Sequence, residues 1–141
     1  MNITHFEETN PVSLLMQYQW LTQAKLAKAL GVGRSALSDW MCGRRNPCRT
    51  IRRLAWELQQ QINVWPNRYF FFSFSTEKIN PIQLLKKYPG FSREALAEAL
   101  GVSLVSVNNW ACGKRNPSPS AQRLAWELDK KWSAIVHVSC A

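Results

Sequence analysis

Trp40-Met41-Cys42-Gly43-Arg44-Arg45-Asn46-Pro47 is the stretch that decides the fold, because the chain repeats it 70 residues later. Trp110-Ala111-Cys112-Gly113-Lys114-Arg115-Asn116-Pro117 differs only in that Ala replaces Met and Lys replaces Arg. Extending this alignment outward pairs residues 10–61 with residues 80–131 without a gap, and about 23 of roughly 52 positions are identical. The chain is therefore one small unit present twice, which we call copy one (residues 10–61) and copy two (residues 80–131).

The charge balance points to a polyanionic partner. The 141 residues carry a formal net charge of +9 and have a pI near 9.8, which favours nucleic acid first and an anionic membrane second. A basic protein without such a partner is the alternative that charge alone leaves open. No stretch approaches the roughly 20 apolar residues that span a bilayer, and residues 1–8 do not resemble a signal peptide. We therefore expect a cytoplasmic protein that makes no membrane contact.

The sequence predicts neither a metal site nor a catalytic site. The cysteines at 42, 48, 112 and 140 show no paired CxxC spacing and have no histidine nearby, so we expect reduced, mostly packed thiols. His5 and His137 have no obvious partner, no two carboxylates have useful spacing, and no Gly-rich phosphate loop is present. We therefore expect no enzymatic activity and no cofactor.

Each copy predicts a small helical bundle. A first helix starts at Asn10-Pro11 and at Asn80-Pro81, where Asn is the N-cap and Pro the first helical residue. Thr22 and Ser92 are the N-caps of a second helix that ends at a glycine. The helices after the first share an apolar inner face. In copy one the predicted ranges are 23–30, 33–40 and a segment containing 51–58. In copy two they are 93–100, 103–110 and a segment containing 123–128.

The segment between the copies predicts β-structure. Residues 62–74 are rich in aromatic side chains, and Pro66-Asn67 is a turn signal, so a β-hairpin is expected there. Residues 134–138 read as a further strand, and a small sheet of this kind would join the copies or mediate self-association. A membrane-surface anchor is the alternative. The predicted division is 1–61 for the first helical domain, 62–79 for an aromatic β linker, 80–131 for the second helical domain and 132–141 for a C-terminal strand.

One pattern resembles a known family. Thr22-Gln23-x-x-Leu26-Ala27-x-x-Leu30-Gly31-Val32, a helix that ends in Trp40, and Gly43-Arg44-Arg45-Asn46-Pro47 together resemble the phage repressor/Cro-like (XRE-type) helix-turn-helix family. Copy two repeats the pattern from Ser92 to Val102. The resemblance covers about two thirds of the chain, and it implies two lambda-repressor-like helix-turn-helix bundles whose third helices enter the major groove of duplex DNA.

The resemblance also implies which side chains face base edges. In copy one these are Arg34, Ser35, Ser38 and Asp39; Arg34 has the fork that pairs with guanine, while Asp39 accepts from cytosine or orients Arg34. In copy two they are Leu104, Val105, Asn108 and Asn109. Asparagine pairs bidentately with adenine, and Leu104 and Val105 suit thymine methyl groups.

Phosphate contacts are expected from the N-terminus of the second helix and from the basic loop after the third. The residues are Thr22, Gln23, Arg44, Arg45 and Asn46 in copy one, and Ser92, Arg93, Lys114, Arg115 and Asn116 in copy two. A solvated turn is the alternative for each loop, but two basic loops at equivalent positions favour phosphate binding.

The sequence thus predicts a mainly α, nucleoid-associated transcriptional repressor that reads two half-sites in double-stranded DNA. The copies differ, since the third helix of copy two carries no charge. Two dissimilar half-sites, one strong and one weak reader, or a second copy used for assembly all fit, and we favour the first. The rival hypothesis is an adaptor in a nucleoprotein complex, with weak or sequence-independent DNA contact.

Overall fold

The fold is mainly α, as the sequence predicts. The structure, a computed structural model, describes residues 7–64 and 76–140. Within these residues the helices are α1 (Pro11–Gln17), α2 (Gln23–Leu30), α3 (Arg34–Met41), α4 (Arg49–Val64), α5 (Ile82–Lys87), α6 (Arg93–Leu100), α7 (Leu104–Ala111) and α8 (Pro119–Cys140). The bounds of α6 and α7 are those of α2 and α3 with 70 added.

The helix ends follow from local chemistry. The side chains of Thr22 and Ser92 accept hydrogen bonds from the third backbone N–H that follows them, which caps α2 and α6. Gly31 and Gly101 adopt left-handed φ values of 72° and 71° and end these helices. A three-residue turn then leads into α3 or α7, one residue later than the sequence predicts.

The two copies share one hydrophobic core. A single cluster of buried side chains includes Leu26, Leu37 and Leu54 from copy one and Leu96 and Leu124 from copy two. Between the copies, α4 and α8 lie antiparallel, because Lys131 Nζ pairs with Glu57 Oε1 at 3.2 Å while Gln61 donates to Glu127. A shared core suits units of this size, since about 50 residues bury little apolar surface alone.

Reciprocal hydrogen bonds join the copies at the ends of α2 and α6. The Thr50 hydroxyl donates to the carbonyl oxygen of Leu100 at 2.7 Å, and the equivalent Ser120 hydroxyl donates to that of Leu30 at 2.6 Å. The last carbonyl groups of a helix have no partner within it. Each copy therefore satisfies the C-terminal carbonyl groups of the other.

An arginine reinforces each of these contacts. Arg123 is 0% exposed; its Nε donates to Ala29 O at 2.7 Å, its Nη1 to Glu77 O at 2.7 Å and its Nη2 to Glu127 Oε1 at 3.1 Å. The equivalent Arg53 is buried and donates to the carbonyl groups of Glu98 and Ala99. The sequence pattern assigns both arginines to the core segment of their own bundle and does not predict that they bind the opposite copy.

The predicted C-terminal strand is wrong, because residues 134–138 belong to α8. β-branched residues lose only tenths of a kcal/mol in a helix, and extending an existing helix avoids the cost of starting a new element. The same reason extends α4 over residues 62–64, so the predicted β-structure is wrong there. The rest of the predicted hairpin, at residues 65–74, lies outside the described residues.

The predicted packing of the thiols is also wrong. Cys42, Cys48 and Cys112 are free and exposed. Cys42 and Cys112 directly follow the last residues of α3 and α7, where the chain turns into an exposed loop.

Candidate nucleic-acid interface

Helix α3 presents a polar face to solvent. Leu37 is fully buried and Trp40 packs against the same core, so these two residues fix the inner face of the helix, and helical periodicity turns the polar positions outward. The side chains of Arg34, Ser35 and Ser38 are exposed, and Asp39 is half-buried. These four residues are the base-contacting set that the sequence predicts for copy one, and the structure brings them onto one helix of two turns.

Helix α7 is the equivalent of α3 in copy two, but it presents a different face to solvent. Val107 takes the buried position of Leu37. Leu104 and Val105 are 37% and 66% exposed, while Asn108 and Asn109 are half-buried. Copy two thus offers apolar and amide groups where copy one offers a cation, hydroxyl groups and a carboxylate.

Asp39 contacts the basic loop that follows α3. Its Oδ1 lies 3.5 Å from Nη1 of Arg44, a pair with the arginine largely in solvent. Its backbone carbonyl accepts from the N–H of Arg44 at 2.9 Å and of Arg45 at 3.4 Å. The carboxylate therefore pairs with Arg44 of the loop. The sequence leaves open that Asp39 accepts from cytosine or orients Arg34.

The loops after α3 and α7 have the same backbone. Gly43 and Gly113 take left-handed φ values of 76° and 78°. In copy two, the carbonyl oxygen of Asn109 accepts from the N–H of Lys114 at 2.9 Å and of Arg115 at 3.3 Å. The exposed side chains that these loops present are Arg44, Arg45, Asn46, Lys114, Arg115 and Asn116.

The N-termini of α2 and α6 carry the remaining residues that the sequence predicts to contact phosphate. The Thr22 and Ser92 hydroxyl oxygens accept from Lys25 N at 3.2 Å and Ala95 N at 3.1 Å, so each hydroxyl hydrogen remains a donor. The first backbone N–H groups of a helix and its dipole favour an anion. Gln23 is half-buried and Arg93 is exposed at these two ends.

One contact between the predicted sets was missed by sequence reasoning. Arg93 Nη1 donates to Asn108 Oδ1 at 3.0 Å, which joins the start of α6 to the outer face of α7. The two residues lie 15 positions apart. The only sequence signal for this contact is that copy one has Gln23 in place of Arg93 and Ser38 in place of Asn108.

A groove is lined by residues of α4 and α8. It has a volume of about 560 Å³ and is lined by residues that include Trp56, Glu57, Glu127 and Lys131. Burial raises the pKa of Glu57, and the neighbouring Lys131 opposes this shift. The groove contains none of the residues predicted to contact DNA.

Residues 7–64 and 76–140 offer neither a metal centre nor a membrane span. No group of three or more His, Cys, Asp or Glu side chains there could hold a metal ion, and no helix there is long and apolar enough to cross a membrane. Compared with family models, curated proteins and solved structures, the chain matches none of them.

Proposed function

We propose that this protein binds double-stranded DNA sequence-specifically through two lambda-repressor-like helix-turn-helix units. The observation that carries the proposal is a repeated frame: an exposed face on α3 or α7, flanked by a capped helix N-terminus and a basic loop. The formal charge of +9 adds a long-range attraction to a polyanion. The major groove of B-DNA admits one α-helix, and each frame offers one.

The chemistry of each group indicates whether it contacts DNA phosphates or base edges in this proposal. Helix N-termini and loop cations bind phosphates and position the protein without reading sequence. The outward side chains of α3 and α7 then read base edges, as in the sets predicted above. Because the two faces differ, the two half-sites are dissimilar, with copy one as the stronger reader since it carries Arg34.

The contacts between the copies support a fixed spacing between the two proposed recognition helices, α3 and α7. Thr50 with Leu100 and Ser120 with Leu30 are equivalent hydrogen bonds in opposite directions. Such reciprocity is the mark of a two-fold interface, here within one chain. Two-fold helix-turn-helix dimers read half-sites about one helical turn apart, and we propose the same spacing for this chain.

Repression is the simplest consequence of such binding, because an occupied site excludes polymerase. This part of the proposal rests on the resemblance to phage repressors, as does a location at the nucleoid.

The test is selection of bound duplexes from a randomised pool at near-physiological salt, followed by sequencing. A bipartite motif with unlike halves and fixed spacing is the expected result. The Arg34→Ala variant and the Asn108→Ala/Asn109→Ala variant should each degrade a different half. If both variants select the wild-type motif with wild-type affinity, the assignment of the recognition helices is wrong.

An adaptor function is the second candidate, and one observation favours it. Leu104 and Val105 form an exposed apolar pair on α7, which could equally contact a protein partner. Salt dependence does not separate the two functions, because phosphate contacts produce it in both. Absence of any enriched motif, with DNA binding that only weakens with salt, would favour the adaptor.

A further inference from the structure

The groove lined by α4 and α8 lies where the two copies meet. Glu57, Gln60 and Gln61 of copy one line it together with their equivalents in copy two, which stand 70 positions later. Trp56 and Ala134 add apolar surface. A molecule in this groove would contact both copies at once, and the volume of about 560 Å³ is within the range of small-molecule sites, about 300–1,000 Å³.

Each carboxylate in the groove already has a cation from the protein. Glu57 Oε1 lies 3.2 Å from Nζ of Lys131. Glu127 Oε1 lies 3.1 Å from Nη2 of the fully buried Arg123, and Gln61 also donates to Glu127. An added cation would therefore have to displace one of these partners.

Lys130 brings a positive charge that no carboxylate offsets. Its Nζ lies 4.8 Å from the centroid of the Trp126 ring, and no Asp or Glu among the described residues forms an ion pair with it. A cation–π contact attracts the ammonium but gives its three N–H donors no lone pair to bind. Because the four-carbon stem of a lysine is flexible, this ammonium can turn to an acceptor in the groove.

We propose that the groove binds a small aromatic anion, whose ring packs against Trp56 and whose acidic group pairs with Lys130. Two aromatic rings in offset or edge-to-face contact gain more than their buried area alone provides. A charge-assisted hydrogen bond to the ammonium then fixes the orientation of the ligand, and the Gln60 amide is a further donor in the lining. This site lies apart from α3, α7 and their loops, and it does not depend on DNA binding.

The test is isothermal titration calorimetry of the full chain with three probes that share one ring system: naphthylacetate, its neutral amide naphthylacetamide, and the cation naphthylmethylammonium. We expect the acid to bind roughly fivefold more tightly than the amide, which is the most that an exposed ion pair usually provides, and the cation to bind most weakly. Lys130→Met keeps an apolar side chain of similar length but removes the ammonium, so it should bind the acid no better than the amide.

Lys86→Met is the matched control. Lys86 is exposed and does not line the groove, so this variant lowers the net charge by the same amount and should keep the preference for the acid. Trp56→Leu should weaken the acid and the amide alike, because the ring contact is lost from both. Thermal melting of each variant shows that it is folded.

Each outcome decides the matter. Loss of the acid preference in Lys130→Met, while Lys86→Met retains it, supports the inference. Equal binding of acid and amide by wild type, an acid preference that persists in Lys130→Met, or tightest binding of the cation overturns it. Absence of binding by all three probes at millimolar concentration overturns it as well. None of these results depends on whether the protein binds DNA, so the proposed function stands or fails separately.

Discussion

At Asp39 the side chain turns towards the loop, and this changes how copy one is expected to read DNA. The Asp39 carboxylate lies 3.5 Å from Arg44, while Arg34 is exposed at the start of α3. An exposed ion pair of this kind contributes about 0–1 kcal/mol, so it would not prevent Arg44 from making the phosphate contact that we propose. Arg34 is left as the main cation on the face of α3 that we propose reads DNA.

Arg34→Ala should weaken binding to the selected duplex by about 1–3 kcal/mol and relax the preference at one position of one half-site, because a bidentate arginine–guanine contact is lost. Titration against the selected duplex and single-base variants measures this. Arg45→Ala is the control, and it should weaken all sequences alike and reduce the salt slope by about 1. A uniform loss in Arg34→Ala would instead assign Arg34 to phosphate.

Glu57 gives a prediction on pH and stability. Burial is the larger cause of its raised pKa, and Lys131 opposes it, so folding favours the protonated carboxyl. The stability that protonation provides is present at pH below the unfolded pKa and is lost as pH rises through the raised folded pKa.

We therefore expect Glu57→Gln to be more stable than wild type at pH 7 and nearly equal to it at pH 4. Denaturant unfolding at both pH values measures the difference. Glu94→Gln, at an exposed position on α6, is the control. A Glu57→Gln protein that is less stable than wild type at pH 7 would show that the pair with Lys131 outweighs the burial of the carboxylate.

At the scale of elements, four glycines allow the cost of left-handed backbone strain to be compared with the cost of disturbing the contacts between the copies. Gly31, Gly43, Gly101 and Gly113 have left-handed φ values between 71° and 78°. A Cβ atom at Gly43 or Gly113 would meet nothing within 4 Å. At Gly31 it would lie 3.0 Å from the backbone carbonyl carbon of Pro119, and at Gly101 it would lie 2.9 Å from the Arg49 side chain.

Alanine at Gly43 or Gly113 should cost about 1–2 kcal/mol, the usual penalty of a left-handed conformation. Alanine at Gly31 should cost clearly more, since the backbone of Pro119 must also move. Gly101→Ala should fall between them, because the flexible Arg49 side chain can shift. The free energies of unfolding of the four variants give the ranking; equal values would mean that the copies do not meet as described.

At the scale of the whole molecule, two similar units pack around one hydrophobic core. The core cluster draws on both copies, and each copy binds carbonyl groups at the end of a helix in the other. Arg123 makes several of these contacts at once, since it donates to Ala29 of α2, to the Glu77 backbone and to Glu127 from a fully buried position.

Arg123→Met should destabilise the protein by about 3–5 kcal/mol, because it leaves Glu127 as a buried carboxylate without its cation. The control is Arg52→Met, which removes an exposed arginine paired with Glu8 and should cost about 1 kcal/mol or less. Chemical denaturation followed by tryptophan fluorescence measures both. Wild type should unfold in one transition, and two separated transitions would contradict a shared core.

Much of the architecture could be predicted from local patterns. The bounds of α2 and α6 follow from Thr22, Ser92, Gly31 and Gly101, because caps and left-handed glycines act within a few residues of themselves. The third helices were predicted to within one residue for the same reason. The β-strand at 134–138 was wrong because strand propensity is weak and a continuing helix overrides it.

The sequence by itself determined the duplication, the helical frame of each copy and the side chains available on α3 and α7, since these depend on identity, spacing and short-range hydrogen bonds. Only the tertiary structure decided that Arg53 and Arg123 bind the opposite copy and that Arg93 holds Asn108. Those contacts join residues 15 to 94 positions apart. No local pattern encodes such pairs, because they form only when separate helices pack against each other.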